Sequence, residues 1–346
     1  MPWTIARRIL EENKVARSQG WERTKQALLE GDGAVPEKTE ELLSDLVEHT
    51  ICGEKLLRFY ELTDDQIIAF RETANVLAIP ESSAASRYPL SLDETELKST
   101  PIGHTLVARH KFESGLALVF STVRVVVIRE ELEASLFPLE TADVFSQYDE
   151  IVGLKNRRVQ NMDVVWIPTT GNLVEVRADY PKNLPFSSIE QGQLSIKFEL
   201  GKMLGVDYLH SSVNLFPLIG KMYENPDEGL VVEFAFGTTT ASTKHEKMRR
   251  GSLSLRDESY HKGGIAALEG TPISPFKLSI EWERKLGNDV TSKPELSLHS
   301  TAREGSAGVG VLIDAIVRNC IGIDDFQFVE ERMQHYLLVT EEEAAA

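Results

Sequence analysis

Residues 116–128 read LALVFSTVRVVVI, and the reading of this run decides the fold class. It is apolar enough to be buried on both faces, which predicts a strand covered from both sides. Glu113, Ser114 and Gly115 form a hairpin-type turn before it, so Leu106–Lys111 becomes the preceding strand. Downstream, Ile151–Val159, Asp163–Ile167 and Leu173–Ala178 read as further strands. The last two are joined across Pro168–Asn172, where Gly171 and Asn172 supply turn geometry.

Ser188 and Gln191 are spaced as a capping box for a helix running to about Met203, and a second amphipathic helix over Val213–Tyr223 stops at the breaker cluster Asn225–Gly229. Alternation then puts Leu230, Val232, Phe234 and Phe236 on one strand face, and Phe276, Leu278, Ile280 and Trp282 on another. Pro294–His299 is a further strand, Val309–Arg318 fits either period, and Asp324–Tyr336 is the last helix. Toward the amino terminus the pattern from Trp3 to about Ile79 is helical. Leu42, Leu43, Leu46, Val47, Thr50 and Ile51 recur on one face, and Thr63 with Gln66 forms a capping box. The expected class is α+β. It comprises a helical assembly segment at 1–79, a Ser- and Pro-rich linker at 80–101, a central α+β domain at 102–228, a C-terminal β-rich domain at 229–340 and a disordered tail at 341–346.

Composition narrows the function classes. With 346 residues, 42% apolar and 26% charged, the chain is a folded protein large enough for more than one domain. Cys52 and Cys320 belong to no CxxC pair, which points to a reducing, cytoplasmic setting without a disulfide framework. Charges interrupt the amino terminus, and no window of about 18 uninterrupted apolar residues suggests a membrane partner. A net charge of −17 disfavours a general polyanion coat, yet screening beyond roughly 8–10 Å lets a local basic patch act.

Such a patch stands at residues 237–251, GTTTASTKHEKMRRG, and just beyond. Lys244, Lys247, Arg249, Arg250, Arg256 and Lys262 oppose only Glu246, Asp257 and Glu258, a local surplus of three positive charges. Cations mixed with Thr and Ser hydroxyls and two glycines suit phosphate oxygens, so the expected partner is the backbone of DNA or RNA. Other protein subunits are expected as well, in a nucleic-acid-processing and plausibly defensive assembly. The opposing reading is a non-enzymatic scaffold whose basic loop docks an acidic protein or pairs with carboxylates of its own chain. No GxxxxGK[ST] string is present, and no cofactor is expected for either reading.

The order helix, three strands, helix, short strand over about 140–210, with Asp163 opening one strand and Glu175-Val-Arg177 on the next, resembles the core of the restriction-endonuclease-like nucleases and their PD-(D/E)xK motif. The resemblance implies catalytic roles for Asp163, Glu175 and Arg177. Asp163 and Glu175 would hold Mg²⁺ while water attacks a phosphodiester, with Glu150 as a third carboxylate and Gln191 or Gln193 on the following helix. Arg177 stands where that family has lysine, so it could stabilise a phosphate but not act as a base. Without that chemistry, Glu175 and Arg177 are a solvated ion pair on one strand face. His104 and His110 share a strand face and read as structural or surface histidines; His49 and Cys52 lie one helical turn apart and do not by themselves make a site.

Overall fold

The run at 116–128 lies within β3 (Gly115–Glu131), which pairs antiparallel along its whole length with β4 (Val152–Pro168), from Gly115 opposite Pro168 to Glu131 opposite Val152. In β3 the first ten residues are buried, as the apolar composition requires. The computed structural model describes residues 1–30, 38–133, 137–138, 144–145, 147–182, 184–249, 253–286, 290–307 and 310–345. Outside β3 lies β2 (Gly103–Lys111), and beyond β4 lies β5 (Leu173–Asp179), which pairs β4 only at Val164–Trp166.

The sheet continues from β5 through β1 (Lys55–Glu61), β12 (Ala315–Arg318), β11 (Glu295–His299), β8 (Ser274–Glu281) and β6 (Leu230–Gly237) to β7 (Thr243–Lys247). It has ten strands in the order β2-β3-β4-β5-β1-β12-β11-β8-β6-β7. A separate two-stranded piece pairs β9 (Arg284–Lys285) with β10 (Thr291–Ser292).

β1 falls inside the stretch that the sequence reads as helical. Its residues KLLRFY are all buried, and the strand pairs β5 on one side and β12 on the other. A short apolar run carries no period that separates strand from helix, and the interrupting charges of Lys55 and Arg58 obscure it further. A single ladder therefore links the amino-terminal segment with the regions read as central and C-terminal domains.

The helices are α1 (Trp3–Glu12), α2 (Gly20–Glu30), α3 (Thr39–Cys52), α4 (Asp64–Val76), α5 (Ser83–Arg87), α6 (Glu94–Ser99), α7 (Phe186–Leu204), α8 (Phe216–Glu224), α9 (Ser259–Ala266), α10 (Ala302–Ala307) and α11 (Ile323–Ala345). The Thr63–Gln66 capping box opens α4 as expected. α7 begins at Phe186 behind Pro185, without a side-chain cap, and ends at Gly205 with φ of 72°.

In the stretch expected to be a linker, Ser82 and Asp93 cap α5 and α6. Leu92 N–H donates to Gln160 Oε1 at 2.7 Å, which ties the segment to β4. The carboxyl terminus also differs from expectation, since α11 runs through Ala345; a Glu- and Ala-rich tail extends an existing helix at little nucleation cost.

Opposed residues in the ladder sort the two faces of the sheet. Leu57, Phe59, Val164, Trp166, Ala315 and Val317 point to one face, where α3, α8 and α11 supply Ile51, Leu218 and Phe326. Val165, Val174 and Val176 point to the other, under Ile67 and Phe70 of α4 and Ile196 of α7. No helix among the described residues is long and apolar enough to cross a membrane.

Candidate functional site

The nuclease-motif residues separate once the strand register is known. Val164 lies opposite Arg177 and Trp166 opposite Glu175, so these four side chains share one face of the sheet. Asp163 precedes Val164 by one residue and points to the other face. The sheet itself stands between Asp163 and Glu175, and the two carboxylates cannot share an ion.

Each is engaged on its own side. Asp163, fully buried, accepts from Thr122 Oγ1 at 2.7 Å, from the Asp179 N–H at 2.8 Å and from Arg124. Burial alone would raise its pKa, but Arg124, His104 and Thr122 outweigh burial and hold the carboxyl below the usual range. Gly192 of α7 makes room for Arg124, because a methyl there would collide with the guanidinium. Gln193 beside it donates to the carbonyls of Leu56 at 2.7 Å and Val176 at 3.0 Å, a structural role across two strands.

On the opposite face, Arg177 donates through Nε to Glu175 at 2.7 Å and through Nη2 to Glu330 of α11 at 2.7 Å. Its guanidinium lies between Trp166 and Phe326, with ring centroids at 4.6 and 4.2 Å. The alternation on β5 correctly joins Glu175 to Arg177, but the pair is buried rather than solvated. Glu330, 153 residues away, carries no sequence signal for this contact. Burial pushes its carboxyl well above the ordinary value. Among the described residues no group of three His, Cys, Asp or Glu side chains is placed to hold a metal.

The basic stretch is built differently from a free loop. Ala241, at φ of 59°, turns the chain into β7, and the Thr238 and Thr240 hydroxyls lie 3.0 Å from each other within that turn. β7 is the outermost strand beside β6, with Lys247 opposite Glu233 and His245 opposite Ala235. Lys247 Nζ reaches Glu233 at 3.0 Å, His245 Nε2 reaches it at 2.7 Å, and Lys277 of β8 pairs with the same carboxylate.

Burial would raise the Glu233 pKa, but these three nitrogen groups lower it to about 2. His299, 3.2 Å from Ser279 Oγ on the same face, is pushed down to about 4 by burial and by Lys277 and Lys247. It is neutral at physiological pH. The lysine side chain at 247 remains 68% exposed and His245 53% exposed, so the cluster faces solvent.

The remaining cations divide. Lys244, on the other face of β7, and Arg249, beyond its end, are exposed and have no ion-pair partner among the described residues. Arg250 lies outside the described residues. Lys262 pairs with Asp257 at 3.0 Å.

Arg256 is not available to a ligand phosphate. It donates to the carbonyls of Met222 at 2.7 Å, Tyr223 at 2.8 Å, Gly229 at 3.0 Å and Glu228 at 3.3 Å, fastening the turn between α8 and β6. His261 is likewise occupied, between Tyr223 Oη at 2.7 Å and Glu246 Oε2 at 2.8 Å. Arg256→Ala should therefore lower unfolding stability by about 1–3 kcal/mol, because several carbonyls lose their donor. Urea denaturation checks this, and an unchanged midpoint would contradict the structural role.

Asp163, Glu175 and Arg177 thus stand apart as buried supports, while Lys244, His245, Lys247, Arg249 and Lys277 form the solvent-facing cationic group. Lys277 and His245 carry no signal in the basic stretch, because Lys277 comes from a different strand and a histidine is not a fixed positive charge. Comparison with protein-family models, curated proteins and solved structures returns no match.

Proposed function

We propose that this protein binds the phosphate backbone of DNA or RNA without cleaving it, as one component of a nucleic-acid-processing assembly. The observation that carries this reading is the gathering of Lys247 and His245 of the outermost β7 and Lys277 of β8 around Glu233 of β6, with Lys244 and Arg249, without an ion-pair partner among the described residues, at the same sheet edge. Two lysines against one carboxylate leave positive charge on that face; Lys244, on the reverse face of β7, and Arg249, beyond its end, add charge along the same sheet edge. Glu233 holds the lysine and imidazole side chains in place, so less rotamer freedom is lost when a phosphate arrives. The −17 net charge acts weakly over this distance, because cellular salt screens it beyond roughly 8–10 Å.

Contacts from Lys244, Lys247 and Arg249 to about three phosphates should give log K falling with log salt at a slope of roughly −2 to −3. Filter retention of single- and double-stranded oligonucleotides at low salt measures it. Charge reversal at those three positions should weaken retention at least about tenfold and flatten the slope. Retention identical to the wild type would overturn the proposal, and Mg²⁺-dependent cleavage by the wild type would overturn its non-catalytic part.

A further inference from the structure

The sheet face that carries the Glu233 cluster continues inward to a cavity. Leu56 lies opposite Ile316, Ile316 opposite Ser297, and Ser297 opposite Ser279, so these side chains share one face. His299 and Lys277, two residues along β11 and β8, stand opposite each other on the same face. A cavity of about 300 Å³ is lined in part by His299 and lies between the start of α7 and the chain leading into β12. That volume is at the lower end of the range for small-molecule sites.

The apolar part of its lining is open to water. Phe186 and Val311 line it and are 43% and 62% exposed. The Phe186 ring makes a T-shaped contact with Tyr180, with centroids 6.0 Å apart, which limits its freedom before any guest arrives.

The polar lining is acidic. Asp314 is matched by Arg58 at 2.6 Å. Glu190 is exposed, and Glu304 Oε2 accepts from the Val311 N–H at 3.1 Å; neither has an ion-pair partner among the described residues. No lysine or arginine lines the cavity, and His299 is neutral at physiological pH. The cavity therefore repels a phosphate and accepts N–H and O–H donors. One strand away the sign reverses, because Lys277 and Lys247 outnumber the single carboxylate of Glu233. Neighbouring strands lie about 4.8 Å apart, so Lys277 and the cavity fall within the span of one nucleotide.

We infer that the cavity receives the base and sugar of an unpaired nucleotide, with the base stacked on Phe186, its donors facing Glu190 and Glu304, and its phosphate on Lys277. The inference rests on backbone binding at β7 and names the form of the ligand, a single strand whose bases are free to leave the stack.

Two strands of equal length separate base from backbone: an oligodeoxyadenylate and a phosphodiester strand of abasic residues. Fluorescence anisotropy of each with the full chain is the measurement. The adenylate strand should bind at least about fivefold more tightly, the contribution of one stacked base. Phe186→Ala should bring it down to the level of the abasic strand while leaving the abasic strand's affinity unchanged, and Phe186→Trp should keep the difference. Equal affinity of the wild type for both strands overturns the inference and leaves backbone binding standing. A base preference that survives Phe186→Ala does the same. Binding of neither strand overturns the backbone reading and this inference with it.

Discussion

Arg177→Met should lower unfolding stability by about 3–5 kcal/mol, the largest loss expected of any single substitution here. Arg177 has 0% exposure and is the cation between Glu175 and Glu330, themselves 2% and 5% exposed. Removing it leaves two carboxyl groups facing each other away from water, and it also removes the stacking of the guanidinium on Trp166 and Phe326.

The sign of the pH effect follows from Glu330, whose folded-state pKa is raised by burial even with Arg177 present. A raised carboxyl contributes stability that is full below its unfolded value of about 4.3 and is lost as pH rises through the folded value. Without Arg177, which opposes that rise, the Glu330 carboxyl retains its proton more strongly, so the deficit of the variant should shrink as pH falls from neutral toward about 4. Urea unfolding at several pH values reads this directly. A variant as stable as the wild type at neutral pH would show that the triad is not a support of the fold.

Asp163→Ala comes next, with a loss also near 3–5 kcal/mol. The substitution strands Arg124, whose side chain is 9% exposed and whose Nε and Nη1 already lack partners, and it leaves Thr122 Oγ1 and the Asp179 N–H without their acceptor. Here the pH dependence has the opposite sign. The Asp163 carboxyl is held below its ordinary value, so its contribution is present above the unfolded value of about 3.9 and is lost as pH falls through the folded one.

Wild type and variant should therefore differ most near neutrality and converge below about pH 4. Asp163→Asn, which keeps the shape and loses the charge, should fall between them. A neutral Arg124→Met partner substitution should return part of the loss, as expected when the damage comes from an uncompensated buried cation. If Asp163→Ala instead leaves the melting curve alone, the charge network under α7 is not what holds these strands.

These two substitutions also explain why the site was hard to see in the chain. The alternation of β5 placed Glu175 and Arg177 on one face correctly, because side chains alternate within a strand whatever its neighbour. Whether Asp163 joined them depended on the register of β4 against β5, and a slip of one residue moves a side chain through the sheet. Arg256 and Lys247 present the same difficulty. Both read as cations in a basic stretch, yet one is held by four main-chain carbonyls and the other stands exposed over Glu233. The dividing fact is the turn at Asn225–Gly229, which folds back onto Arg256.

By itself the sequence determined what is local: the β3 strand and its hairpin turn, the β5 alternation, the capped start of α4 and the amphipathic helices behind β5. These follow from periodicity and from hydrogen bonds between residues a few positions apart. Only the tertiary structure decided that β1 sits between β5 and β12, that Glu330 closes the Arg177 pair, and that Lys277 joins Lys247 at Glu233. Those contacts bring together groups distant in the chain, and their energy depends on burial and opposing charge, which exist only after the strands have assembled.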